Sequence, residues 1–306
     1  MPSVVTLDGF SLTTDALLSC SRSDTTARLS AEAIDRVSDA RAIVDKVLES
    51  GEIVYGINTG FGLFANVTVP EHKLIELQEN LIRSHAAGCG DPLPRERTRM
   101  LLALRINVLA KGHSGITLRV IEQMVEALNA DCIPVVPSKG SVGASGDLAP
   151  LAHLALGLMG EGSMWQPGTH TQGSAADILA AAGLSPIQPK AKEGLAMING
   201  TQMIAALGAE AIERAGRLAR LADYTAALSL EVLFGTVRAQ RAHTSHGARP
   251  PAAFTPLCSL APAACRVSTG PCVQPSDPRR PPPPGPEAGG LACARGAAPK
   301  CAVGAV

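Results

Sequence analysis

One stretch constrains this chain more than any other: Gly140-Ser141-Val142-Gly143-Ala144-Ser145-Gly146-Asp147-Leu148-Ala149-Pro150. Its three evenly spaced glycines demand tight bends, because only glycine enters positive φ without a steric penalty. Asp147 and Pro150 are helix-start signals. The segment Leu151 to Met159 that follows is almost wholly apolar and predicts a helix buried all round. A tight loop at the positive end of a buried helix dipole suits the stabilisation of negative charge. Familiar templates do not fit. There is no Gly-Lys-Ser/Thr, no dinucleotide spacing, and Gly143-Ala144-Ser145-Gly146 is not Gly-x-Ser-x-Gly. Taken alone, Ala-Ser-Gly reads as a helix-capping turn.

Composition narrows the function classes. With 306 residues, 46% of them hydrophobic, the chain can bury a sizeable core and hold two domains. A formal net charge of zero argues against nucleic acid or an anionic membrane surface as the main partner. No window reads as apolar for long enough to span a bilayer. The segment Met1 to Phe10 lacks the basic and apolar regions of a secretion signal, so a cytoplasmic location is expected. Only Cys20, Cys89 and Cys132 precede residue 239, and such sparse cysteines read as reduced thiols. No metal-ligand spacing is present.

Taken in order, residues 3–12 alternate weakly and predict a short strand. Ser30 caps an amphipathic helix with Ile34, Val37, Ala40, Val44, Val47 and Leu48 on one face, ended by Gly51. Ile53 to Gly62 reads as an apolar strand running into a glycine-laden loop. Helices follow at 71–84, 97–110 and 118–128, with Gly112 as a helix stop rather than part of a phosphate loop. Residues 133–137 are extended, 160–174 form a surface loop or hairpin, and 177–182 a short helix stopped by Gly183. Asn199-Gly200 turns into a long, small-residue helix that belongs in a close-packed bundle. Tyr224 lies on that helix and reads as a packing residue.

The longer strings decide what the local patterns leave open. Gly-Ser-Val-Gly-Ala-Ser-Gly-Asp-Leu-Ala-Pro-Leu-Ala-His at 140–153 closely resembles the signature of the aromatic amino acid lyases. Tyr55-Gly56-Ile57-Asn58-Thr59-Gly60-Phe61-Gly62 and Glu193-Gly194-Leu195-Ala196-Met197-Ile198-Asn199-Gly200-Thr201 resemble two further family motifs. The resemblance covers about residues 3–238. It implies that Ala144, Ser145 and Gly146 cyclise with loss of two waters into a 4-methylidene-imidazol-5-one (MIO) group, with no external cofactor and no metal. A Cβ at position 146 is expected to obstruct the compressed turn. The resemblance further implies Tyr55 as the base, Asn199 beside the ring, and Gly62 in the substrate loop. Tyr55 needs nearby positive charge to serve near neutral pH, since the free phenol titrates near 10. Gly143 and Asp147 are expected to hold the loop in shape.

Ser84-His85 resembles the substrate-selecting pair of the histidine ammonia-lyase branch. It implies L-histidine as substrate, His85 engaging the imidazole, trans-urocanate and ammonia as products, and a homotetramer when complete. A lone histidine is more often structural, yet a polar group suits an imidazole where an apolar ring would prefer an apolar wall. Two alternatives stay open: a phenylalanine or tyrosine lyase or aminomutase, and an inactive truncated fragment or non-catalytic subunit.

After Arg238 the composition changes abruptly. Thirteen of 23 prolines and five of eight cysteines fall in 239–306, which holds no Ile, Met, Tyr or Trp. Such a segment lacks the apolar mass to fold and is expected to be disordered or read out of frame. Cys258, Cys265 and Cys272 do not have zinc-ligand spacing. The expectation is therefore a mainly α chain in three parts. Residues 1–200 form the N-terminal domain with the MIO loop, 201–238 begin a long-helix bundle that is truncated, and 239–306 are a Pro-rich tail.

Overall fold

The computed structural model describes residues 3–60, 67, 69–143 and 146–234. It divides into two compact units at 213/214, and the first holds almost every element. The tail at 239–306 lies outside the described residues.

The first unit opens with β1 (Val4–Leu7), α1 (Thr14–Ser19) and β2 (Thr26–Leu29), and the two strands pair in parallel. Then comes α2 (Ala31–Ser50). Ser30 caps it by accepting from the Ala33 amide, and Gly51 ends it at φ 68°, as its sequence signals predict. Its most buried residues are Ala33, Val37, Arg41 and Val44, so an arginine shares the predicted apolar face. The Arg41 guanidinium is spent on Asp45 and on the carbonyls of Gly115 and Ala191.

Helix α3 (Glu71–His85) leads to β3 (Cys89–Pro92), α4 (Arg95–Leu109) and α5 (Leu118–Asn129). Strands β4 (Ile133–Pro134) and β5 (Pro137–Lys139) then deliver the chain to α6 (Leu148–Leu158). β5 pairs with β3, while β4 joins a three-stranded sheet with the hairpin of β6 (Ser163–Trp165) and β7 (Gln172–Ser174). After α7 (Ala175–Ala181), α8 (Glu193–Ile198) and α9 (Gln202–Val232) complete the described chain. The core is one apolar cluster centred on α4, α5 and α6, including Leu101, Leu102, Ile106, Ile121, Leu151 and Leu154. No described residue of α6 is exposed, as its apolar composition predicts.

The fold is mainly helical, in line with the sequence reading. Two local readings are corrected. Residues 53–60 form a turn rather than a strand running into a loop, because the Asn58 side chain supplies a local alternative to a ladder. Its Oδ1 accepts from the Val54 amide and its Nδ2 donates to the Glu52 carbonyl. The membrane reading also changes. Among the described residues the stretch Glu193–Ser229 meets the length and composition of a membrane-spanning helix, with 33% of its window buried. Core helices of soluble proteins pass the same test.

Helix α9 crosses from the first unit into the second. Its start is pinned to the first unit by Met203 and Ala206 in the core and by a bidentate Arg97–Glu210 pair at 2.6 and 3.1 Å. In the second unit Leu218, Leu221, Tyr224 and Leu228 are largely exposed.

A buried ion cluster joins the start of α4 to the end of α5. Asp131 accepts from Arg99 at 2.6 Å, from Arg95 at 2.8 Å and from the Gly168 amide at 2.9 Å. Burial pulls the Arg99 guanidinium below its usual range, and Asp131 opposes that pull. Asp131→Ala would leave a buried cation without its counter-ion. It is expected to cost about 3–5 kcal/mol, read as a lower urea midpoint of unfolding at unchanged slope.

Candidate active site

Three elements meet where the sequence places its motifs. Helices α3, α6 and α8 pack on one another in every pairwise combination. The Ser-His pair closes α3, the Ala-Ser-Gly loop opens α6, and Asn199 closes α8. Ala144, Ser145 and Gly62 lie outside the described residues, so the loop is followed from its two flanks.

On the upstream flank, Asp147 is the organiser. It stands at the N-cap of α6 and is buried, but its carboxylate makes no bond to the helix's own first turn. It turns back into the loop instead. Oδ1 accepts from the Val142 amide at 2.9 Å, and Oδ2 accepts a short hydrogen bond from the Ser141 hydroxyl. Ser141 Oγ in turn accepts from the Gly143 amide at 3.2 Å. Gly143 stands at φ +68°, a conformation that a side chain would strain.

On the downstream flank, Gly146 stands at φ +81°. A Cβ built there would sit 3.8 Å from Asn199 Oδ1, the one described atom within 4 Å. The backbone conformation at 146 by itself asks for glycine. The same atom matters for another reason. Asn199 Oδ1 is buried and, among the described residues, has no hydrogen-bond partner. Buried acceptors are nearly always satisfied, so one left open beside Gly146 is a mark of a group that belongs there.

His85 ends α3. Its Nδ1 lies 2.8 Å from the Leu81 carbonyl and 3.1 Å from Ser84 Oγ, while Ser84 Oγ donates to the same carbonyl at 2.9 Å. A carbonyl can only accept, so Nδ1 carries the proton and neutral His85 presents a lone pair at Nε2. Just beyond, the Gly88 amide donates to His153 Nε2 on α6 at 2.9 Å. A Cβ on Gly88 would come within 3.0 Å of that nitrogen. His153 thus ties the segment after the Ser-His pair to the helix behind the loop.

Tyr55 sits in the turn at 53–60, with the residue 57% exposed. The turn itself is firmly set: Thr59 Oγ1 accepts from the Gly56 amide and donates to the Gly60 carbonyl, and the Asn58 carbonyl accepts from Val69. The described geometry brings together Gly146, Asn199 and, through His153, the segment next to His85. It does not bring Tyr55 within 4 Å of the Gly146 Cβ position.

Two residues near the site escaped the sequence reading. One is His153, present in the signature string but given no role. The other is Arg105 on α4, almost fully buried and bonded to the chain around Asn199. Its signal is visible in Met100-Leu101-Leu102-Ala103-Leu104-Arg105-Ile106, where a single charge interrupts an apolar run. Among the described residues no group of three or more His, Cys, Asp or Glu is placed to hold a metal ion.

Comparison with known proteins agrees with this layout. The family model described as aromatic amino acid lyase matches residues 12–253. Bovine (Bos taurus) histidine ammonia-lyase is 57% identical over 235 residues, which is 77% of this chain and 36% of that protein. The crystal structure of histidine ammonia-lyase from Trypanosoma cruzi superposes with a TM-score of 0.73 at 48% identity, covering 78% of this chain and 46% of that one. Tyrosine aminomutase from Streptomyces globisporus gives a TM-score of 0.69 at 36% identity, covering 74% and 42%. The chain thus spans about a third of the bovine relative's length and under half of each of these two solved chains.

The His153 bond has a pH signature. Burial pulls the His153 imidazole below the usual histidine range, so folding favours its neutral form. Its contribution to stability is full above about pH 6.5 and is lost as pH falls through the lowered value, because the unfolded chain takes up the proton first. The wild-type advantage over His153→Gln, compared by urea midpoint, is expected to be flat above pH 7 and to shrink toward pH 5. A constant difference would contradict this.

Proposed function

We propose that this chain, which belongs to the aromatic amino acid lyase family, carries the electrophile-forming and ring-selecting parts of a histidine ammonia-lyase site, acting on L-histidine to release ammonia and trans-urocanate. The observation that carries the reading is the open Asn199 amide facing Gly146, in a chain 57% identical to its bovine relative.

The residues fit an MIO group built from Ala144, Ser145 and Gly146. Asp147 and Ser141 hold the loop from one side, Gly146 supplies the backbone conformation on the other, and Asn199 offers an unspent polar atom beside it. Formed there, the group supplies a strong electrophile, which no standard side chain provides. Asn199 orients the loop by hydrogen bonding. His85 Nε2 accepts from an imidazole N–H and so selects and orients the ring. Tyr55 Oη takes the β-proton of the substrate as general base, which requires positive charge or a helix N-terminus near it. In keeping with the family, the complete enzyme is read as a cytoplasmic homotetramer.

A second reading follows from the same lone pair. A phenol O–H can donate to His85 Nε2 as well as an imidazole N–H can, and tyrosine aminomutase is among the similar structures. A third reading is a non-catalytic chain.

Two measurements separate these readings. The intact mass of the purified chain is expected to fall short of the sequence mass by two waters; the full mass would favour the non-catalytic chain. His85→Leu is expected to cut L-histidine turnover by roughly a hundredfold, the upper end of the scale set by about 1–3 kcal/mol for a buried polar group left unpaired. Unchanged turnover of histidine in that variant would overturn the histidine reading.

A further inference from the structure

Arg105 is an anomaly of charge. Its guanidinium is almost fully buried, and among the described residues it forms no salt bridge with a carboxylate. Burial alone lowers it, to about 10, so it stays charged at neutral pH. A buried cation without a counter-ion is expensive unless strong hydrogen bonds compensate. Its hydrogen bonds are concentrated in one place. Nη1 donates to the Asn199 carbonyl at 2.8 Å and to Gln202 Oε1 at 2.9 Å, and Nη2 makes a short bond to the Ala196 carbonyl.

Those three acceptors straddle the break between α8 and α9. Helix α8 is six residues long and stops at Ile198, and α9 starts at Gln202. The last carbonyls of α8 have no helical partner and carry partial negative charge. The planar fork of an arginine can bind several of them at once, where a lysine ammonium on a flexible stem binds as a point. Gly200 is shaped to admit the fork: a Cβ there would lie 2.7 Å from Nη1 and would collide with the Gln202 amide.

We propose that Arg105 is a positioning residue for Asn199. It clamps the carbonyls of Ala196 and of Asn199 itself together with the Gln202 side chain, so that the Asn199 amide faces Gly146 and the reactive loop. The proposal rests on the reading that Gly146 and Asn199 belong to the lyase site. It adds a residue from α4, which carries none of the sequence motifs, to the machinery that sets the site's geometry.

The test uses the full chain and its Arg105→Lys, Asn199→Ala and double variants. Three quantities are read: the fraction of loop peptide lighter by two waters, L-histidine turnover, and amide exchange at residues 196–202. Arg105→Lys is expected to lower the melting temperature, while exchange speeds up most at 196–202. It is expected to lower ring closure and turnover by roughly a hundredfold, as displacements of about 1 Å do. The double variant should be no worse than Asn199→Ala, because both changes act through one side chain. Losses that add, or a lysine that restores wild-type closure and exchange, would overturn the proposal. If Arg105→Lys does not fold, Gln202→Met decides: unchanged closure and exchange at 196–202 would overturn it too. A wild-type chain that loses no water defeats the lyase reading instead, and the exchange data still judge the clamp.

Discussion

The mutual packing of α3, α6 and α8 is the constraint on which the rest depends. None of these helices owns the site. Each contributes one end: His85 at the close of α3, Gly146 at the opening of α6, and Asn199 at the close of α8. Their approach is close enough to dictate residues. A Cβ on Gly194 would come within 2.8 Å of the Gln78 carbonyl, so only glycine lets α8 lie this near α3. The Gln78 side chain accepts from the same residue's amide at 2.9 Å, turning that proximity into a directional bond. Glu193, next to it, is wholly buried and accepts from the amides of Thr117 and Lys190. The motif around Asn199 is thus fastened at its start by α3 and α5 and at its end by α4.

Much of this was legible in the sequence because it is local. A serine before an apolar period and a glycine after it mark α2, and apolar periodicity marks α4 and α5. The three motif strings and the Ser84-His85 pair locate most of the site residues described here, but not Arg105. What could not be read is non-local or concerns where a side chain points. Nothing near Val4–Leu7 announces its parallel partner at Thr26–Leu29. Asp147 looks like an ordinary helix-start acid, yet its carboxylate serves the loop behind it. Arg105 looks like an interruption in an apolar helix until the helix break it satisfies, more than ninety residues on, is seen.

The membrane reading failed for a related reason. Periodicity taken helix by helix splits the chain at Asn199-Gly200, whereas Glu193–Ser229 counts as one apolar helical stretch. That stretch is apolar on faces with different surroundings. At its start, Met203 and Ala206 are in the core, while Leu218, Leu221 and Leu228 further along are exposed within their own unit. Small apolar surfaces left bare along a long helix are what close helix packing uses.

The bond from the Gly88 amide to His153 has a consequence for how such a site can diversify. It makes the segment proposed to select the ring a dependant of the helix behind the Ala-Ser-Gly loop rather than a detachable cassette. A new ring preference installed by transplanting residues 84–88 arrives without its anchor unless position 153 offers a matching acceptor. Gly88 leaves no room there for a side chain to improvise one. Drift at the two positions is therefore tied together, and substrate preference in this scaffold can move only where α6 lets it.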